Sequence, residues 1–149
     1  MNIRNFTAAF MLSLAGLFLF ASCGKDDELL RDIITNNITE GTWRITNFDD
    51  DGTDKKDLFD GYAFKFGTNG TLTATKGVTV QVGTWSINDG DENDDVLDDL
   101  DFNINFPVAS NEFQDLNDDW DIESQSSDKL NLIEVAGPLD TDLLTFQQN

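Results

Sequence analysis

Histidine is absent from this sequence of 149 residues, cysteine occurs once and proline twice. Lysine and arginine together number 9, against 29 aspartates and glutamates. Each scarcity excludes something. Without imidazole neither a Ser-His-Asp nor a Cys-His catalytic set can be assembled, and zinc sites that need a histidine ligand are excluded too. One cysteine cannot close a disulfide within the chain. A formal net charge of −20 excludes a nucleic-acid binder, because a phosphate backbone needs Lys and Arg to displace its counterions. The same imbalance disfavours docking on anionic lipid through a basic face. Long apolar runs are also scarce: the uncharged stretch from Phe6 to Phe20 has 15 residues, fewer than the roughly 20 of a spanning helix. The length sets one domain as the expectation.

What is present begins with an address. Arg4 supplies a short positive start, the apolar run follows, and the small residues Ala21 and Ser22 precede Cys23. This is the order of a secretory signal. The segment Phe20-Ala21-Ser22-Cys23 resembles the lipobox of bacterial lipoproteins, with Phe where Leu is usual. The resemblance implies a signal peptide over residues 1–22 and a mature chain that starts at Cys23, its thiol consumed as a lipid thioether. Two or three acyl chains, at about 0.8 kcal/mol per buried methylene, would make that anchor effectively permanent. The mature part would carry 8 basic residues against all 29 acids, a net −21. Directly after the cysteine, Lys25-Asp26-Asp27-Glu28 resembles the lysine-plus-acids export signal of surface lipoproteins of Bacteroidetes. It implies an outer-membrane protein displayed at the cell surface; the alternatives are retention on the periplasmic leaflet and a plain solvated linker.

Beyond the anchor the acids are 23 Asp and only 6 Glu. Asp is poor inside helices and good in turns, because its short carboxylate bonds nearby backbone amides. The imbalance therefore predicts many turns and an all-β chain. One helix is expected over residues 27–34, where apolar pairs four apart follow acids at the start. Period-two patterning then predicts eight strands, at 42–48, 62–66, 72–76, 78–88, 100–106, 120–124, 129–135 and 143–146. Asn69-Gly70 marks a hairpin and residues 49–54 a turn, while one helical turn is expected between Ser110 and Leu116. Links of hairpin length favour a meander, and closing it into a barrel removes the exposed edges.

An internal echo sharpens the fold. Gly41-Thr42-Trp43-Arg44-Ile45 and Gly83-Thr84-Trp85-Ser86-Ile87 share Gly-Thr-Trp-x-Ile. One echo is too few for a solenoid or propeller. Gly allows a kink or close approach, and Trp two residues later fills a barrel end. Gly41-Thr42-Trp43 after a short helix resembles the lipocalin Gly-x-Trp motif. The order of both Gly-Thr-Trp motifs, the Phe-x-Phe of Phe64 and Phe66, the Asn-Gly-Thr-Leu hairpin and a late Lys129-Leu-x-Leu resembles the lipocalin-like domains of Bacteroidetes lipoproteins over residues 38–147. The resemblance implies an eight-stranded antiparallel up-and-down barrel over 38–149, behind a lipidated acidic linker and short helix over 23–37. Trp43 would be its floor. Lipocalins usually lay an Arg from a late strand over that Trp, and residues 143–149 contain none; either Arg44 or Arg31 substitutes, or the end closes differently. An immunoglobulin-like sandwich, with Trp43 and Trp85 in different sheets, is the alternative fold.

Chemistry has few candidates. Asn47, Asp49 and Asp51 before Gly52 match the first half of an EF-hand loop, but the twelfth position is Leu58, where a bidentate Glu is needed. Asp89, Asp91, Asn93 and Asp95 alternate oxygen ligands without the central Gly. Solvated turns are the plainer reading of both, so no metal and no cofactor is expected. Paired carboxylates can serve a glycosidase, but they need an apolar pocket to raise one pKa, and these sit in polar loops. No enzyme is expected. The aromatic strand faces offer two readings. They line a calyx for a small apolar molecule, as the lipocalin resemblance implies, with Phe64, Phe66, Trp85, Phe102 and Ile104 as the lining. Alternatively they are plain core, since eight strands leave an interior just wide enough for side chains to fill. In that case the protein is a surface interaction or accessory lipoprotein whose protein partner the sequence does not identify.

Overall fold

The computed structural model describes residues 24–89, 100–107, 111–137 and 140–149. The expected signal peptide, Cys23, and Asp91, Asn93 and Asp95 lie outside the described residues. Helix α1 (Gly24–Thr39) leads into nine strands: β1 (Trp43–Asp50), β2 (Thr53–Asp54), β3 (Ala63–Phe66), β4 (Thr71–Lys76), β5 (Thr79–Asp89), β6 (Leu100–Asn105), β7 (Asp118–Gln125), β8 (Lys129–Gly137) and β9 (Asp140–Gln148). A 3₁₀ turn (Lys56–Phe59) stands between β2 and β3, and the short helix α2 (Asn111–Gln114) between β6 and β7.

From β3 to β9 every strand pairs antiparallel with its successor. β1 then joins β3 at Trp43↔Phe64 and β9 over six residue pairs, from Trp43↔Gln148 to Asp49↔Leu143. Eight strands thus form one closed up-and-down barrel, as the patterning predicts. Trp43 and Trp85 belong to the same sheet, which overturns the sandwich alternative. The ninth strand, β2, is two residues long and folds back on Asp49 and Asp50. It is the second arm of the expected 49–54 turn, with Asp51 and Gly52 both at positive φ, as a tight two-residue hairpin loop requires.

Alternation along the strands builds the core. Phe64 and Phe66, Leu72 and Ala74, Phe102 and Ile104, Trp120 and Ile122, Leu130 and Leu132, and Leu144 and Phe146 all point inward and are buried. Helix α1 is longer than expected because Ile38 continues the apolar face of Leu30 and Ile34 for one more turn; Ile34 and Ile38 are buried. It therefore runs past the boundary expected at residue 37. Among the described residues no helix is long and apolar enough to cross a membrane.

Candidate functional site

The two ends of the barrel are closed by different devices. At the end where β1 begins, the Trp43 indole N–H donates to the carbonyls of Ile38 (2.9 Å) and Glu40 (3.2 Å), at the C-terminus of α1. The C-terminal end of the helix thus satisfies the polar edge of this tryptophan. Arg44 points outward to Gln147 and Asn149, so it is not the substitute for the missing late-strand arginine. Arg31 lies half-buried on α1. Gly41, at φ +68°, turns the chain from helix to strand. Between α1 and the β7–β8 hairpin lies a void of about 10 Å³, bordered by Ile34, Ile38, Trp43 and Leu130, about the volume one water needs.

At the opposite end the plug is aromatic. Phe59 of the 3₁₀ turn and Phe113 of α2 meet edge to face at 5.3 Å. Phe113 also packs on Tyr62 at 5.1 Å and on Phe106 at 5.0 Å. Phe48 links the plug to the wall through Phe59 at 5.7 Å and Trp120 at 6.4 Å. Lys55 ties the two capping segments together, binding Asp115 at 2.8 Å and also Asp50. These hydrogen bonds hold its pKa above the usual lysine range, that to Asp115 first. Sequence reading missed this plug. Its only signals were lone aromatics in short polar segments, Phe59 after Leu58 and Phe113 three residues before Leu116.

Between the two ends stand the five residues expected to line a calyx. All are buried; Phe66, Trp85 and Phe102 are in mutual ring contact, and Phe64 joins them through Phe146. Phe66 meets Trp85 at 5.6 Å and Phe102 at 5.8 Å, and Trp85 stacks on Phe102 at 5.6 Å. Phe64 and Phe66 each meet Phe146 of β9, at 5.4 and 5.3 Å. Ile104 opposes Trp85 in the β5–β6 ladder. The Trp85 indole N–H donates to the Gly67 carbonyl at 3.0 Å, so its polar edge is satisfied by the hairpin. The set expected around a ligand is in contact with itself. Phe146, which joins it from the last strand, was not among the residues singled out from sequence.

Charge collects on the rim of the plugged end. Glu134 faces Asp142 directly across β8 and β9. Burial, reinforced by Asp118, Asp121 and Asp142, raises the Glu134 carboxyl above its usual range. Burial also raises Asp142, although the Asp51 N–H donates to it at 2.7 Å and opposes that shift. The half EF-hand is used locally: the Asp49 carboxylate accepts the Gly52 N–H at 2.8 Å and shapes the hairpin. Among the described residues, no group of three or more Asp, Glu, Cys or His side chains is placed to hold a metal ion. Lys25, Asp26, Asp27 and Glu28, expected from sequence to act in export, fall in the first turns of α1, and Glu28 is exposed.

Fold and ends together define the class: a closed eight-stranded antiparallel meander barrel of lipocalin-like form, with a helix at its N-terminal side. No family model and no curated protein matches the chain. Among solved structures it is similar to a DUF4847 family protein from Bacteroides vulgatus, at 19% identity and a TM-score of 0.47, over 75% of this chain and 94% of that one.

Proposed function

We propose that this protein is a lipid-anchored, non-enzymatic outer-membrane lipoprotein that works through the outside of a filled barrel. The observation that carries the reading is the contact of Phe66 with Trp85, Phe102 and Phe146, which occupies the place of a calyx with side chains. Sealing of both ends, by Trp43 under α1 and by Phe59 and Phe113 opposite, supports it. The anchor rests on the lipobox-like Ala21-Ser22-Cys23, and display at the cell surface on Lys25-Asp26-Asp27-Glu28.

The competing reading, a small apolar molecule held within the barrel, rests on the fold and is separated by titration. Fatty acids of graded length, added to the purified protein, leave the tryptophan emission unchanged if the barrel is filled. A saturable shift, or a retained apolar molecule in the native mass spectrum, restores the interior-ligand reading. The anchor is tested separately: Cys23→Ala abolishes labelling by a radioactive fatty acid, and persistent labelling refutes acylation there.

A further inference from the structure

The outer wall is not uniform. Outward positions on β5 begin with Val78, just before the strand, and continue with the exposed Val80 and Val82; those on β8 and β9 include Val135 and Leu143. Between these regions, β5, β6 and the start of β7 present only short polar side chains. The ladder places Ser86 beside Asn103 and Asn103 beside Asp119, one row across three strands. The next row holds Thr84 beside Asn105, and Asn117 borders the same area. The Asn117 side chain is held by the Phe106 backbone, accepting its N–H at 2.5 Å and donating to its carbonyl at 3.4 Å. With no long side chain to fill them, the two rows border an open surface trough of about 520 Å³, whose lining also includes Asp118.

We propose that this trough binds a neutral polyhydroxylated ligand, a short saccharide. Neighbouring strands stand about 4.8 Å apart, close to the separation of hydroxyls across a sugar ring, so each row can meet one ring edge. Thr84, Ser86 and the Asn amides both donate and accept, and the Asp118 and Asp119 carboxylates accept. A ligand that also both donates and accepts uses all of them. An ammonium ligand only donates and leaves the amide N–H groups unmatched. An anionic ligand meets a chain of net charge −20 and, within the trough, no cation. Among the described residues the hydroxyls of Thr84 and Ser86 and the amide of Asn105 have no hydrogen-bond partner, so a ligand displaces only water.

The test uses the full-length chain in a zwitterionic detergent, free of sugar headgroups, and follows side-chain amide signals by NMR. Maltose and cellobiose, raised to tens of millimolar, shift the Asn103 and Asn105 amides saturably and leave Asn37 and Asn131 in place. Asp119→Ala weakens the response about tenfold, the loss expected for one charge-assisted hydrogen bond. Ser86→Arg, on an exposed strand position, fills the trough and abolishes it while the circular dichroism stays unchanged. No shift from either disaccharide overturns the proposal. So does a shift produced by spermidine alone, or an undiminished response in a folded Ser86→Arg protein.

Discussion

The two glycines of the repeated Gly-Thr-Trp have different physical causes. At Gly41 the backbone is left-handed, and an added Cβ would stand 3.0 Å from the flexible end of Gln148. At Gly83 the backbone is ordinary, but a Cβ would stand 2.4 Å from the Asn105 carbonyl and 2.7 Å from the Phe106 ring. Gly41→Ala should therefore cost about 1 kcal/mol, the usual penalty for a left-handed L-residue. Gly83→Ala should cost about 3 kcal/mol, because β6 and a buried ring must move. Urea unfolding of the two variants checks the order; equal losses would show that β6 yields. Glu134 is the second residue-scale case. Its raised pKa means that the folded protein holds this proton more tightly than the unfolded chain does. Its contribution to stability is therefore full below the ordinary carboxylate range and is lost as pH rises through the raised value. Glu134→Gln removes a like charge directly opposite Asp142 and should stabilise the protein by about 0.5–1 kcal/mol at pH 7. The gain should fade towards about pH 4, where the native carboxyl is itself protonated. Melting curves across that interval would expose a gain that does not depend on pH, which would contradict the account.

Among the elements, α2 depends most on its surroundings. Four residues cannot hold a helix alone, so its place comes from Phe113 wedged among Phe59, Tyr62 and Phe106. Phe113→Ala should cost about 3–4 kcal/mol and raise hydrogen exchange in both capping segments, since Phe59 loses one of its ring partners as well. Exchange confined to α2 would show that the caps are independent. This element also marks the limit of what the sequence made legible. All eight barrel strands announced themselves through period two, because each has one buried and one solvated face. The Asn69-Gly70 turn and the helix from residue 27 onward were equally plain. Phe59 and Phe113 sit in segments of four residues without a repeating pattern, so nothing local says that they point into the barrel. Whether Phe64, Phe66, Trp85 and Phe102 leave room between them was unreadable for the same reason. Alternation tells which face is buried, and only the opposing strands tell what fills the space.

At the scale of the whole molecule, the proposed function is that side chains fill the interior and the barrel meets its surroundings with its outer surface. The central claim is that filling, and Phe66 is where it is measured most directly, because its ring contacts three others in mid-barrel. The decisive measurement is the thermal unfolding of Phe66→Trp beside the parent protein. In a filled barrel the larger indole has no place to go, and overpacking of about 1–3 kcal/mol should lower Tm by roughly 5 °C or more. A Tm equal to or above that of the parent would mean that the indole entered empty space, and the claim of a filled barrel would be wrong.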